Sequence, residues 1–421
     1  MLIVHASDIH LDSPLVGLEA YEGCPREALR GATRRAFENL ARTAIDEQAS
    51  LVLIAGDLYD GSWKDYATGL FFVREMRRLR EAAIPVVVLR GNHDAESEIT
   101  RHLRMPDNVV ELPTNAAGTA LFEKIGVAVH GRGYFTREVR EDLAKSYPQA
   151  CGGLFNVGML HTALDGRHGH ETYAPTTTAV LADRGYDYWA LGHIHRREVV
   201  SRNPYIVYPG NLQGRHIRET GSKGCSLITV EAGRVTGLEH RALDVVRWAD
   251  VEVVAEQDES KSDILDRVND ALGGAVRDAE GKLIAVRLTV RGATRAHCEI
   301  ASAVESFVNE SRAAAIDVGG DALWLGDVRI DTRLPLDRAA LRSSHDPIAL
   351  ILRAASEVAA DPVKASELCA CLSDLRDKIP EELRKDPAFA FLDDPSQLGD
   401  ALSEAEELLL GRLLSVGGAG P

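Results

Sequence analysis

Five short polar clusters carry the residue types that hold metal ions or move protons. Each cluster comes directly after a run of apolar residues that is typical of a buried strand. The clusters are Asp8-Ile9-His10, Gly56-Asp57-Leu58-Tyr59-Asp60, Gly91-Asn92-His93-Asp94, His161 and Gly192-His193-Ile194-His195. Imidazole, carboxylate and amide oxygen are ligands that suit hard or borderline cations such as Mn²⁺, iron and Zn²⁺.

Each cluster by itself also fits a purely structural role. An Asp-x-His pair is common by chance, Gly-Asp and Gly-Asn are turn dipeptides, and a single histidine such as His161 is often a hydrogen-bonded core residue. Sites in open α/β sheets, however, form outside the carboxyl ends of the strands. Because all five clusters stand at such ends, we predict a shared metal site rather than five unrelated turns.

The elements that must position these clusters alternate between strands and helices. We predict strands at residues 2–6, 51–55, 85–89, 155–160 and 186–191, followed by strands without helices between them at 205–208, 226–230 and 235–238. Helices are predicted at residues 33–48 and 70–79, between the first three strands. Strand–helix–strand repetition indicates βαβ units, in which helices cover a sheet.

The pattern changes twice in the second half of the chain. Residues 1–245 are predicted to form the catalytic domain, and residues 246–334 a small α+β cap that takes part in DNA recognition. Residues 335–421 lack strand patterns, and helices are predicted there at 362–378 and 397–414. We therefore expect a helical C-terminal region that is a possible docking site for a partner protein.

The composition excludes several classes of protein. The 421 residues include 64 acidic and 48 basic ones, and the net charge of −16 argues against charge-driven coating of DNA without excluding a nucleic-acid enzyme. Six scattered cysteines without a Cys-x-x-Cys pair argue against a disulfide scaffold and a cysteine-type zinc site. With no signal-peptide pattern and no apolar run of about 18 residues, we expect a cytoplasmic protein without a membrane partner.

The polar clusters together resemble the signature of the calcineurin-like metallophosphoesterases. Their order and spacing are most similar to the DNA-repair exonuclease branch of SbcD and YhaO type. Two longer strings, residues 161–175 and 208–224, resemble the YhaO-like group. The likeness is strong over residues 1–245 and loose over 246–330. It implies an α/β fold, namely a metallophosphoesterase β-sandwich flanked by helices.

The resemblance also implies two divalent metal ions, which we expect to be Mn²⁺. The ligands of the first ion would be Asp8, His10, Asp57 and His195, and those of the second would be Asp57, Asn92, His161 and His193. Asp57 would then bridge the two ions and offset their mutual repulsion. The family's chemistry is attack on phosphorus by a hydroxide that both ions activate.

Three residues beside the predicted ligands have predicted supporting roles. The histidine that matches His93 in relatives helps to protonate the leaving group, so His93 is the predicted general acid. Asp94 either orients the ring of His93 as part of the catalytic group or simply closes the turn. Asp60, whose counterpart is His in some nuclease relatives, is expected to support its neighbours rather than to touch substrate.

Residues 210–224 form a loop with several basic side chains. Arg215 and Arg218 are predicted to hold DNA phosphates, because a guanidinium can bind two phosphate oxygens at once. His170 is predicted to line the substrate site. The alternative for the loop is a solvated surface segment without a ligand.

These features predict a metal-dependent phosphodiesterase that hydrolyses DNA, and the resemblance implies a 3′→5′ exonuclease in DNA repair. Relatives work with an ATPase of SMC type and commonly form homodimers, so we expect both here. Two alternatives stay open at this point. One is a small-molecule or nucleotide phosphoesterase with the same metals, and the other is a metal-loaded DNA-binding scaffold within an ATPase complex.

Overall fold

The computed structural model describes residues 1–13, 24–60, 66–96, 104–166, 173–336, 347–380, 387–399, 401–403, 405–406 and 409–410. The strands are β1 (Leu2–Ala6), β2 (Leu51–Ala55), β3 (Val86–Leu89), β4 (Val109–Glu111), β5 (Gly118–Phe122), β6 (Val127–Gly131), β7 (Phe155–His161), β8 (Tyr188–Gly192), β9 (Glu198–Arg202), β10 (Tyr205–Tyr208), β11 (Gly224–Glu231), β12 (Arg234–Ala242), β13 (Val246–Val254), β14 (Leu283–Ala293) and β15 (Leu323–Arg333). The α-helices are Arg26–Arg30, Ala32–Asp46, Tyr66–Glu81, Thr178–Ala182, Lys261–Asp278, His297–Ser302, Val304–Gly319, Pro347–Ala360, Pro362–Cys371 and Ser373–Lys378.

Two six-stranded sheets build the sandwich that the sequence predicts. Their strand orders are β12-β11-β1-β2-β3-β4 and β5-β6-β7-β8-β10-β9. Strands β1 to β4 pair in parallel, and so do β6, β7, β8 and β10. Buried side chains from both sheets, among them Leu53, Val87, Val129 and Met159, form one apolar cluster. The predicted α/β class is confirmed.

Helices cover the outer face of the first sheet. Phe37, Leu40 and Ala44 recur at helical spacing along Ala32–Asp46, and all three are buried against that sheet. Phe72 and Met76 of the next helix, Tyr66–Glu81, join the same cluster. Both helices were predicted from the sequence, and their packing leaves the strand ends free to carry the polar clusters.

Several strands of the two sheets are absent from the sequence prediction. Strand β4 has only three residues, and β5 and β9 lie at sheet edges where their residues are partly exposed. Strand β6 is fully buried, but its apolar run is interrupted by His130. The two nitrogens of that ring lie 2.8 Å from the Thr119 hydroxyl and 3.0 Å from Asn156 Oδ1. These partners make burial of His130 tolerable.

A third sheet follows in the second half of the chain, with the strand order β13-β14-β15. Residues 1–250, 275–286 and 321–326 make up one compact unit, and residues 251–274, 287–320 and the described residues from 327 onward make up another. This division runs through the three strands. The three-domain division at residues 245 and 334 stays a prediction.

Helices follow the third sheet, as the sequence predicts. Residues 362–378 form two helices separated at Leu372, and the described residues between 398 and 410 are helical. The helix Pro347–Ala360 was not predicted. Within the described ranges, every helix is too short or too polar to span a bilayer.

Candidate metal centre

The carboxyl ends of neighbouring parallel strands bring the predicted ligands together. Each of these side chains belongs to the last residue of a strand or to the turn that follows it. Asp8 and His10 follow β1, Asp57 follows β2, Asn92 follows β3, His161 ends β7, and His193 and His195 follow β8. Almost all of these side chains are buried, although His195 keeps 20% of its side-chain surface exposed.

The first group of candidate ligand atoms comes from Asp8, His10 and His195, and these atoms lie within 4.8 Å of one another. The Nε2 atoms of His10 and His195 face each other at 3.3 Å. Asp8 Oδ1 lies 3.8 Å from His195 Nε2, and Asp57 Oδ2 lies 3.8 Å from His10 Nε2. These four residues are the set predicted for the first ion.

The second group adjoins the first through the shared carboxylates. Atoms of Asp8, Asp57 and His161 lie within 4.8 Å of one another. The Nε2 atom of His161 is 3.4 Å from Asp57 Oδ2 and 3.0 Å from Asn92 Oδ1. The ring of His193 meets the His161 ring edge-on, with centroids 5.2 Å apart. Asp57 therefore faces both groups, as a bridging ligand must.

The protonation of the His161 ring fits a bound cation. His161 Nδ1 lies 3.0 Å from the Ala55 carbonyl oxygen, which can only accept a hydrogen bond, so this nitrogen carries the proton. Nε2 then points its lone pair at the oxygens of Asn92 and Asp57. Burial alone would lower the pKa of His161, but the charge and hydrogen bond of Asp57 raise it to about 9. A divalent cation placed between these atoms satisfies them without that second proton.

The backbone at the site adopts conformations that L-amino acids rarely take. The φ angles of Asp8, His10 and Asp57 are 50°, 45° and 50°, and that of His193 is 97°. Such left-handed residues persist only where the surrounding structure enforces them. Close packing adds to this constraint, because a Cβ atom at Gly91 would lie 2.2 Å from Asp57 Oδ1.

His93 lies beside the two groups, and with His10 and Asp60 it forms a third cluster whose ligand atoms lie within 4.8 Å of one another. The Nδ1 atom of His93 is 3.0 Å from Asp60 Oδ1, and the His93 backbone N–H donates to Asp57 Oδ1 at 3.0 Å. Burial favours the neutral ring, yet the hydrogen bond to Asp60 and the charge of Asp57 raise the pKa of His93 above its ordinary value. A raised pKa keeps a proton available for donation near neutral pH.

Asp94 makes the contacts of a turn-closing residue. Its Oδ2 accepts the backbone N–H of Gly91 and its Oδ1 accepts that of Tyr59, both at 3.0 Å. The side chain is buried, at 2% exposure. Of the two alternatives left open by the sequence, these contacts favour the structural one for Asp94. The orienting contact to His93 comes from Asp60 instead.

The two predicted phosphate-binding arginines differ in their placement. The half-buried Arg215 reaches the site, where its Nη1 is 3.3 Å from Ser13 Oγ and 3.8 Å from Asp60 Oδ2. Arg218 is exposed, and its backbone N–H donates to His216 Nδ1 at 3.2 Å. His170 lies outside the residues that the structure describes.

Sequence reasoning missed the role of Glu219. This residue is 7% exposed, and its Oε1 lies 2.6 Å from His195 Nδ1. Burial would raise the pKa of Glu219, but the hydrogen bond and charge of His195, together with Arg215, hold it well below its usual range. A single acid in a polar loop gives no periodic signal. The one sequence signal for Glu219 is its position within residues 208–224, the string that resembles the YhaO-like group.

Comparison with protein families identifies the fold that carries this site. Residues 1–197 match the family described as calcineurin-like phosphoesterase, and residues 248–333 match the middle domain of metallophosphoesterase YhaO. An uncharacterized metallophosphoesterase named YhaO, from Bacillus subtilis, is 33% identical over 296 residues, which are 69% of this chain and 72% of that protein. The chain belongs to the YhaO family of calcineurin-like metallophosphoesterases. This family implies divalent metal ions, for which the two groups are candidate sites.

More distant relatives of this metallophosphoesterase have nuclease or repair names. A DNA double-strand break repair protein Mre11 from Methanopyrus kandleri is 26% identical over 233 residues, covering 50% of this chain and 48% of that protein. An SbcCD nuclease protein of the SbcD type, from Staphylococcus epidermidis, is 24% identical over 258 residues, covering 55% of this chain and 66% of that protein. The chain thus spans about half the length of the first and two thirds of the second.

Proposed function

We propose that this metallophosphoesterase is a Mn²⁺-dependent phosphodiesterase that hydrolyses DNA, as a 3′→5′ exonuclease in DNA repair. The observation that carries the proposal is the position of Asp57 Oδ2, which lies 3.8 Å from His10 Nε2 of the first group and 3.4 Å from His161 Nε2 of the second, with His93 directly beside them. The names of the Mre11 and SbcCD relatives support DNA as the substrate.

The two ligand groups would hold the cations, with Asp57 between them. When bound, the two ions supply Lewis acidity toward the phosphate oxygens and lower the pKa of a nucleophilic water. Neighbouring groups of the protein donate hydrogen bonds to the ligand carboxylates and so fix their orientation. Asp8 accepts the Ser7 hydroxyl at 2.6 Å and the backbone N–H of His193 at 3.1 Å. Asp57 accepts the backbone N–H of His93, which leaves Oδ2 toward both groups.

His93 donates the proton that the leaving oxygen needs. Its Nδ1 is occupied by Asp60 at 3.0 Å, so Nε2 is the atom left to face a substrate. The negative charge of Asp60 stabilises the imidazolium form before transfer. After transfer, the neutral ring keeps its Nδ1 proton and its hydrogen bond to Asp60.

Arg215 binds a phosphate of the substrate next to the site. Its guanidinium lies at the side of Asp60 and Ser13, and within the described part of the chain its Nε is a buried nitrogen without a hydrogen-bond partner. A buried donor without an acceptor is costly, and a phosphate oxygen would supply the acceptor. Arg218, exposed on the same loop, contacts the DNA backbone farther from the scissile bond.

An ATPase of SMC type is the proposed partner, and the C-terminal helices are its proposed docking surface. The helices there bury Leu352 and Leu410 within their own chain. Leu350 and Val363 nevertheless remain 64% and 66% exposed. The helix predicted at 397–414 carries a series of leucines that could form an apolar face. They differ in exposure, since Leu398 is buried, Leu402 is half-buried, Leu409 is 47% exposed, and Leu413 lies outside the described residues.

One assay with three substrates tests the proposed function. The purified protein is supplied with Mn²⁺ and given linear duplex DNA, single-stranded DNA or bis(p-nitrophenyl) phosphate. Degradation of DNA from its 3′ ends supports the proposal. Hydrolysis of the small ester alone indicates a small-molecule phosphoesterase, and DNA binding without turnover indicates a scaffold. The Asp57→Asn variant and addition of a chelator serve as controls for contaminating nucleases.

A further inference from the structure

The buried carboxylate of Glu219 contacts both the candidate ligand His195 and the loop of residues 210–224, which we call the arginine loop. Glu219 Oε1 lies 2.6 Å from His195 Nδ1. Its other oxygen, Oε2, accepts the backbone N–H of Arg215 at 2.6 Å and the side-chain amide of Asn211 at 3.0 Å. Oε2 thus holds the backbone of Arg215, while Oε1 contacts His195 and also lies 3.7 Å from Arg215 Nη2 and 3.5 Å from His216 Nε2.

The base of the arginine loop also has hydrogen bonds that do not involve Glu219. Asn211 Nδ2 also donates to the Gln213 carbonyl at 2.9 Å, and Trp248 Nε1 donates to the Gly214 carbonyl at 2.9 Å. A Cβ atom at Gly214 would lie 2.8 Å from Trp248 Cδ1, so only glycine permits this contact. Glu219 then links the backbone of Arg215 to the ligand His195, while the Arg215 side chain also reaches Ser13 and Asp60.

We propose that Glu219 is a positioning residue that couples the metal ligand His195 to the phosphate-binding Arg215. Through its contact with Nδ1 at 2.6 Å, Glu219 holds the His195 ring so that Nε2 faces the first ligand group. Through Oε2 it holds the backbone of Arg215 so that the guanidinium stays beside the site. The inference rests on the proposed function only where it takes Arg215 to bind phosphate.

Two substitutions separate the two halves of this role. In Glu219→Gln the remaining oxygen still accepts the proton of His195 Nδ1. The new NH₂ group then faces the N–H of Arg215 and the amide of Asn211, which are both donors. Glu219→Ala removes both contacts. The glutamine variant should therefore mainly release the loop, whereas the alanine variant should disturb the ligand as well.

The metal arm of the test measures Mn²⁺ binding to metal-free protein by calorimetry. We expect Glu219→Ala to weaken one of two binding events by about 10–100-fold, the usual effect of losing a carboxylate behind a histidine ligand. Glu219→Gln should weaken the same event less. Glu239→Gln, which removes an exposed carboxylate of the same unit, is the matched control for charge and should bind Mn²⁺ like the wild type.

The DNA arm measures affinity by fluorescence anisotropy with a chelator present, so that no ion contacts the phosphates. Glu219→Gln should lower the affinity as far as Arg215→Ala does. The double variant should bind no more weakly than either single variant, because both changes remove the same contact. Thermal unfolding of Glu219→Gln, which is nearly isosteric, shows whether the fold is kept.

Wild-type Mn²⁺ affinity in Glu219→Ala would overturn the positioning of His195. Wild-type DNA affinity in Glu219→Gln, or additive losses in the double variant, would overturn the coupling to Arg215. If neither the wild type nor any variant binds DNA, the proposed function is what fails, and the metal arm alone still decides the role of Glu219. If Glu219→Ala does not fold, Glu219→Met, which keeps the length of the side chain but offers no oxygen to His195 Nδ1, replaces it in the metal arm.

Discussion

His93 Nδ1 lies 3.0 Å from Asp60 Oδ1, and this contact joins residues that are 33 positions apart in the chain. Asp60 also accepts the Ser13 hydroxyl at 2.6 Å and lies 3.5 Å from His10 Nδ1. Burial would raise the pKa of Asp60, but its hydrogen bonds to His10 and His93 lower it well below the usual range. Asp60 is therefore a lasting negative charge beside the proposed general acid.

Replacing His93 by alanine should slow the reaction without weakening binding. A group that acts in the transition state contributes to turnover rather than to ground-state affinity. We expect both metal ions and DNA affinity to be kept, and the hydrolysis rate to fall by about 10²–10⁴-fold. The loss should be smaller on bis(p-nitrophenyl) phosphate, whose leaving group needs less protonation. An equal loss on both substrates would indicate phosphate positioning by His93 instead.

Asp60→Asn should show a milder form of the same defect. The amide can still contact the ring, but it no longer stabilises the imidazolium by charge. We expect a loss in turnover on DNA that exceeds the loss on the nitrophenyl ester, with metal content unchanged by elemental analysis. If the ratio of the rates on DNA and on the nitrophenyl ester is that of the wild type, Asp60 does not assist His93 in proton donation.

Asp94→Ala should act on stability more than on proton donation. The substitution leaves the N–H groups of Gly91 and Tyr59 without an acceptor in a buried turn. Each buried unsatisfied donor costs about 1–3 kcal/mol. With two such donors, urea unfolding of the metal-free protein should show a loss of about 2–6 kcal/mol. If the variant is as stable as the wild type but shows the substrate-dependent defect described for His93, Asp94 has a catalytic rather than a structural role.

Asp57→Asn should disrupt both ions, because this carboxylate faces both ligand groups. The substitution removes the negative charge that offsets the repulsion between two neighbouring cations. We expect metal content well below two equivalents and a matching loss of hydrolysis. His195→Ala provides the comparison, since His195 belongs to the first group and not to the second, and its loss should chiefly weaken the first ion. Two bound ions and wild-type activity in Asp57→Asn would disprove the bridging assignment.

Arg215→Ala and Arg218→Ala should weaken DNA binding and flatten its salt dependence. Each lost phosphate contact should reduce the slope of log affinity against log salt by about one unit. Arg218→Ala should leave hydrolysis of the small ester unchanged, because that side chain is exposed away from the ligands. Arg202→Ala, an exposed arginine at the end of β9, is the matched control. Wild-type slopes in both variants would make the loop an ordinary solvated segment.

The strand ends of the site were predictable because polar clusters terminate uninterrupted apolar runs. Strand β6 was not, since His130 breaks its run and its two hydrogen-bond partners are distant in sequence. The sequence likewise does not show whether Asp60 or Asp94 is the partner of His93. Adjacency in sequence favoured Asp94, but the turn after β3 directs that carboxylate to backbone N–H groups.

The left-handed backbone at Asp8, His10, Asp57 and His193 has a consequence for the speed of ion exchange. These conformations cost of order 1–3 kcal/mol each, and the chain meets that cost when it folds rather than when an ion arrives. Loading then needs no reorganisation of the ligands. Uptake and release of ions should be limited by shedding of hydration water and by solvent access.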